Sequence, residues 1–197
     1  MSTATMPPKS LNNLTPRELG LLFPITLSAW DPRWPRRYQR EKSRIEATLD
    51  SCTILKITHV GSTSIPNITS KPTVDMLLEI AGDTDLHMVR ERLVGIGYHF
   101  IPKPENPPPH MMFVKGYTSK GFRGQVFHLH VRYRGDWDEP YFCEYLREHP
   151  AEAVEYGRLK QELALRFRND RDGYTDAKTK FIRRITALAR KNKKVKE

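Results

Sequence analysis

Cysteine is scarce in this chain: its 197 residues contain only Cys52 and Cys143. Two thiols cannot build a disulfide framework, so a small fold stapled by covalent cross-links is excluded. Their apolar neighbours Leu55 and Phe142 predict half-buried thiols and a reducing, cytoplasmic setting. Long hydrophobic runs are missing as well. No segment approaches the ~20 apolar residues of a spanning helix, and the opening MSTATMPPKSLNN lacks the apolar core of a secretory signal. A soluble protein that does not enter a membrane is expected. Acid is the third shortage: 23 Asp and Glu against 33 Lys and Arg leave a formal charge of +10, which favours polyanionic partners. Part of that excess sits at the end, where Arg190, Lys191, Lys193, Lys194 and Lys196 meet only Glu197, and we read residues 191–197 as a solvated basic tail.

No repeat or low-complexity tract is present, and the length suits one domain with its own core. Residues 1–25 are rich in Ser, Thr, Pro and Asn and predict a flexible arm with one short helix near Pro16 to Leu22. In DPRWPRRYQREKSRIEATLD, Pro35 suits a first helical turn. Trp34, Tyr38, Ile45 and Leu49 share one side of that helix, while Arg36, Arg37, Arg40 and Arg44 lie elsewhere. TILKITHV alternates as a strand that ends at Gly61, whereas PTVDMLLEI is apolar enough to be covered on both faces. Leu86, Val89, Leu93 and Ile96 predict a helix, and YHFI, MMFVKG and QVFHLHVRY predict three further strands around a proline-rich loop. After Arg134 the periodicity is helical. EPYFCEYLREH, the set Tyr156, Leu159, Leu163 and Phe167, and the set Tyr174, Ala177, Phe181, Ile185 and Leu188 mark three helices. The expected layout is α+β: a mixed-sheet core over 26–135 and a C-terminal helical segment over 136–190.

Chemistry concentrates in HVGSTSIPNITSKPTVD, from His59 to Asp75. A Gly-Ser step directly after a strand lets backbone N–H groups approach an anion, and the Ser62 hydroxyl adds a donor. Such a step also occurs in ordinary tight turns. Asp75 lies in an apolar strand, where a carboxylate needs a cation, a metal or hydrogen-bond donors. In FHLHV, His128 and His130 share one strand face. If that strand pairs beside the one carrying Asp75, two imidazoles converge on the carboxylate, and His59 could join them; Zn²⁺, Mn²⁺ or Fe²⁺ would suit such a set, as would a phosphate. Lys71 stands where its ammonium could reach a phosphate at Ser62. The pairs Tyr156 with Lys160 and Tyr174 with Lys178 occupy adjacent turns of helix faces. Lys115 and Arg123 are candidates for charge stabilisation.

The Gly61-Ser62 turn followed by a strand carboxylate resembles the active-site layout of the DNA polymerase beta-like nucleotidyltransferase superfamily. In that layout the Gly-Ser turn holds nucleotide phosphates, strand carboxylates hold Mg²⁺, and helical lysines and tyrosines grip triphosphate and stack a base. WDPRWPRRYQREKSRIEATL, HVGSTSIPNITSKPTVDMLLEI, FHLHV, FCEYLREHPAEAVEYGRLKQELA and YTDAKTKFI resemble successive blocks of the GrpB-like family, whose members also occur fused to dephospho-CoA kinase. The resemblance covers about Ala29 to Ala189. It implies a mixed nucleotidyltransferase-like sheet flanked by helices. It also implies phosphate or nucleotide contacts from Gly61, Ser62, Thr63, Ser64, Lys160, Tyr174 and Lys178, with Asp75 as catalytic group and metal ligand; the residues themselves add Lys71 to the phosphate contacts, and His128 and His130 as catalytic groups and metal ligands that would replace a missing carboxylate or act as base. Mg²⁺ is the implied ion, with Mn²⁺ or Zn²⁺ behind it, and the implied partner is a nucleoside triphosphate or another phosphorylated small molecule.

One departure bears on mechanism. Two-metal transfer wants carboxylates at i and i+2 of one strand, but i+2 is Leu77, and Glu79 on the same face stands about 13 Å from Asp75. Two readings follow. One is metal-dependent transfer of a nucleotidyl group from a nucleoside triphosphate to a hydroxyl acceptor. The other is a non-catalytic nucleotide- or phosphate-binding, or chaperone-like, module. Nucleic-acid binding through Arg36 to Arg44 ranks below both, since no aromatic-basic surface motif accompanies the charge.

Overall fold

The computed structural model describes residues 13–196 other than 52, 107 and 110. Five strands, β1 (Ile54–Val60), β2 (Thr73–Ile80), β3 (His99–Pro102), β4 (Met111–Thr118) and β5 (Gly121–Tyr133), form one mixed sheet in the order β1-β2-β5-β4-β3. Only β2 and β5 run parallel. Among the described residues, seven α-helices flank it: α1 (Pro16–Leu22), α2 (Trp34–Thr48), α3 (Leu86–Gly95), α4 (Asp138–Glu148), α5 (Pro150–Arg166), α6 (Arg171–Asp176) and α7 (Thr179–Lys196). The continuous apolar character of β2 follows from its place between β1 and β5, with helices on both faces. On one face Val74, Met76, Leu78 and Ile80 pack with Trp34 and Ile45 of α2 and Val89 and Leu93 of α3. On the other, Leu77 packs with Phe142, Tyr156, Phe181 and Ile185 of α4, α5 and α7. Each such buried side chain stabilises the fold by roughly 1.5–3 kcal/mol.

Local signals set the helix starts. Thr15 and Glu18 close a capping box around Pro16 of α1, and the Asp85 carboxylate accepts from the His87 and Met88 amides at the head of α3. In α2, Trp34 and Ile45 are buried, the Tyr38 hydroxyl donates to the Ile57 carbonyl at 2.8 Å, and Arg36, Arg40 and Arg44 face outward.

Several expectations are corrected. The described part of the N-terminal arm is packed: Phe23 is 1% exposed, and the Ile25 amide donates to the Arg168 carbonyl at 2.7 Å. At the C-terminal end α7 runs through Lys196 with Lys191, Asn192 and Lys193 exposed, and Arg190 just before them bonds Asp136 and Asp138. The helix expected from Tyr174 to Leu188 is two, α6 and α7, broken at Ala177 and Lys178; the apolar period continues across a break that neither residue announces. In β1, a register shift between Ile54 and Lys56 interrupts the alternation and leaves Leu55 exposed. Cys143 is fully buried rather than half-buried, and Cys52 lies outside the described residues. Among the described residues no helix is long and apolar enough to cross a membrane.

Candidate functional site

The turn after β1 is shaped by Gly61, whose φ of 68° and closeness to β2 both demand glycine; a Cβ there would sit 2.4 Å from Asp75 Oδ2. Residues Ser62–Ser64 then form a single 3-10 turn. Two of its three hydroxyls are spent internally: Ser64 Oγ donates to the Gly61 carbonyl at 2.7 Å, and Thr63 Oγ1 lies 3.0 Å from His59 Nε2. The Thr63 and Ser64 hydroxyls thus support the turn. The Ser62 hydroxyl has no protein partner among the described residues. Beneath it, Ser70 Oγ donates to the Ser62 carbonyl at 3.2 Å and accepts from Lys160 Nζ at 3.2 Å. Lys160 is 1% exposed, so it braces the turn from inside the protein.

Asp75 and His128 stand side by side on parallel strands, as the sequence suggested, with His128 Nδ1 3.1 Å from Asp75 Oδ1. His128 Nε2 is 2.8 Å from the Tyr117 hydroxyl, which accepts from Arg171 Nη2 at 2.9 Å. In the neutral tautomer with the proton on Nδ1, Nε2 accepts from Tyr117, and a continuous chain runs from carboxylate to guanidinium. Burial works to raise the Asp75 pKa, but the His128 hydrogen bond and the charges of His128, His130 and Lys71 hold it below the ordinary carboxylate value. His130, opposite Leu77 in the same register, has no hydrogen-bond partner among the described residues, and burial pulls its pKa down to about 4. It is neutral at pH 7. His59 does not join the set. It pairs with Met76 on the opposite face, stacks on Tyr38 with ring centroids 4.8 Å apart, and is likewise pulled to about 4 by burial.

Tyr117 and Arg171 were not singled out by the sequence, and Arg37 was named only in the basic face of its helix. Gly116, at φ 89°, sits at a register shift in β4. That bulge turns Tyr117 to the Asp75 face, although Lys115, two residues earlier, faces α2 and bonds Glu41 at 2.6 Å. Lys115 is thereby corrected out of the site. Arg123 is exposed and is not brought to it either.

A cavity of about 290 Å³ opens at the start of β2 and β5, with Arg37, Lys71, Gln125 and Arg171 in its lining. Lys71 Nζ lies 5.3 Å and Lys178 Nζ 4.3 Å from the centre of the Tyr174 ring. Tyr174 is 1% exposed with cations against it, so it organises the lysines and presents no face for a base. Burial, then the charges of Lys178 and Arg171, pull the Lys71 pKa from 10.5 to about 7. Lys178 falls to about 8, chiefly through burial, and Lys160 to about 7 through burial and the charges of Lys178 and Lys71. Asp75 is the carboxylate whose charge acts on both Lys71 and Lys178.

The donor set does not fit a magnesium pair. Both nitrogens of His128 are committed to Asp75 and Tyr117, Leu77 is fully buried, and Glu79 Oε1 takes the Gly135 amide at 3.4 Å. Among the described residues no group of three or more His, Cys, Asp or Glu is placed to hold a metal ion. One carboxylate amid several cations suits an anion better than a cation.

Comparison with known proteins agrees with the motif-level resemblance. The chain is 37% identical over 161 residues to the UPF0157 protein PA4798 of Pseudomonas aeruginosa, covering 81% of this chain and 65% of that protein. It is 32% identical over 200 residues to the UPF0157 protein BH1888 of Halalkalibacterium halodurans, covering 93% and 98%. The glutamate-rich protein GrpB of Alkalihalophilus pseudofirmus is 30% identical over 164 residues, covering 82% and 93%. The chain spans under two thirds of PA4798, and 48% of the Bacillus subtilis relative YqkA. The crystal structure of the conserved protein GrpB from Enterococcus faecalis superposes with a TM-score of 0.73 at 28% identity, covering 85% of this chain and 98% of that one. The sheet and its flanking helices are thus shared with a solved relative, and the GrpB protein family model matches residues 24–188, from the packed end of the arm into α7, so the chain belongs to the GrpB family.

Proposed function

We propose that the cleft between the Gly61–Ser62 turn, Lys71, Arg171 and Lys178 binds a phosphorylated small molecule, a nucleoside triphosphate among the candidates, without a divalent metal. The observation that carries this reading is the gathering of half-buried cations: Arg37, Lys71 and Arg171 line the cavity, Lys178 stands beside Lys71 on the Tyr174 ring, and the Asp75 charge acts on both lysines. A phosphate supplies the missing negative charge and accepts charge-assisted hydrogen bonds from the same groups. The reading keeps the phosphate cradle of a nucleotidyltransferase-like sheet and leaves out its metal pair.

Calorimetric titration with ATP, GTP, CTP, UTP and inorganic pyrophosphate tests it. Binding in the absence of Mg²⁺, weakened about tenfold or more by Lys71→Met, is expected, since one hydrogen bond to a charged group contributes ~1.5–3 kcal/mol. Equal affinity in the variant would remove Lys71 from the site. A second reading, nucleotidyl transfer to a hydroxyl acceptor, is favoured by the Asp75–His128 pair, in which the carboxylate fixes the tautomer that leaves Nε2 as an acceptor. Under it, pyrophosphate release from a nucleoside triphosphate is lost in Asp75→Asn while the fold is retained.

A further inference from the structure

A second and larger cavity, about 650 Å³, lies on the same sheet face between β5 and helices α4 and α7, and Gly61 forms part of its wall. Its size falls within the ~300–1,000 Å³ of small-molecule sites. Three features of its lining point to a ligand.

Arg132 is 5% exposed, yet its guanidinium makes hydrogen bonds through Nη1 alone, to the Val131 carbonyl at 3.0 Å and the Met111 carbonyl at 3.4 Å. Its Nε and Nη2 have no acceptor among the described residues, although a buried guanidinium ordinarily satisfies most of its five donors. Thr186 is also 5% exposed, and its buried hydroxyl has no hydrogen-bond partner among the described residues. Trp137, Phe142 and Tyr156 supply an aromatic wall. The other charges of the lining sort themselves: Arg190 is taken by Asp136 and Asp138. Glu139 remains. It is half-buried, and its charge acts on Arg132 without forming an ion pair with it.

We propose that this cavity is a second binding site, for a small aromatic carboxylic acid that also carries a hydroxyl or amino group. The carboxylate meets the open edge of the Arg132 guanidinium in a forked pair. The ring lies against Trp137, Phe142 and Tyr156, where offset or edge contacts are favoured. The remaining polar group is left for Glu139 and Thr186. The Gly61 backbone that forms part of this wall also packs close to the Asp75 carboxylate. The proposal does not depend on what the cationic cleft binds.

The test is a titration of the ¹⁵N-labelled protein with 4-hydroxybenzoate, followed by amide and Trp137 indole shifts, with benzamide as the uncharged comparison. The expected result is saturable shifts at Gly61, Arg132, Trp137 and Thr186, an affinity about tenfold weaker for Arg132→Met and intermediate for Arg132→Lys, and weak binding of benzamide to all three proteins. Shifts confined to Lys71 and Arg171 would place the probe in the cationic cleft and overturn the assignment. So would the absence of saturable shifts, or equal affinity for wild type and the Arg132 variants. The shift map of the unmutated protein decides the placement even if Arg132→Met does not fold, and pyrophosphate binding by each variant reports separately on the cationic cleft.

Discussion

Lys71 carries a positive charge against both burial and its neighbours, and the cost of that charge has a definite pH dependence. Its folded-state pKa, about 7, lies below the ordinary 10.5, so between these values the unfolded chain binds more protons than the native one and stability rises with pH. The penalty is complete below pH 7 and gone above about pH 10.5. Unliganded Lys71→Met should therefore melt higher than wild type at pH 6, with the difference closing towards pH 10; a difference independent of pH would contradict the assigned cause. The same linkage means that an anion bound beside Lys71 raises its pKa, so binding at pH 8 should be accompanied by proton uptake, measurable as a buffer-dependent calorimetric enthalpy. Much of this site is legible in sequence. Asp75, His128 and His130 share a face because strand alternation is local and survives folding. Arg171 and Tyr117 were missed because contacts between residues 54 positions apart leave no periodic trace, and the internal bonds of the Thr63 and Ser64 hydroxyls are equally invisible in the sequence, although a hydroxyl in a tight turn is often spent on the turn itself.

At the level of elements, β4 shows how one residue redirects another. Gly116 takes φ 89°, and a Cβ on it would come within 2.7 Å of the Gln125 carbonyl oxygen, which is backbone and cannot swing away. Gly116→Ala should cost about 1–3 kcal/mol in urea unfolding and, by flattening the bulge, should separate Tyr117 from His128. The imidazole ¹⁵N shifts of His128 would report that separation; a variant within 0.5 kcal/mol of wild type with unchanged shifts would contradict the role given to the bulge. A glycine inside a strand pattern is the visible cue for such a device, but MMFVKG alone does not tell which way the following tyrosine turns. Strand β2 was fully legible, since its apolar run requires cover on both faces and receives it. The break between α6 and α7 was not, because the apolar spacing runs through Ala177 and Lys178 without a glycine or proline. That break sets Lys178 against the ring of Tyr174.

Across the whole molecule, the excess of +10 is better explained by where charge is left unmatched than by its total. The C-terminal end, read from sequence as a basic tail, spends Arg190 on Asp136 and Asp138, whereas the cleft holds Lys71, Lys178 and Arg171 around a single carboxylate. A sequence count cannot separate a cation paired with distant acids, as Arg190 is, from Lys71 and Lys178, on which the Asp75 charge acts, because pairing depends on which distant acids the fold returns. The central claim is that this cleft recognises an anion through its cations, with Asp75 opposing binding rather than anchoring a metal. One experiment separates the two: calorimetric titration of ATP into wild type and Asp75→Asn, with and without Mg²⁺. The account predicts metal-independent binding that is kept or tightened in Asp75→Asn, since the substitution removes a like charge from the site. Binding that requires Mg²⁺ and disappears in Asp75→Asn would contradict it.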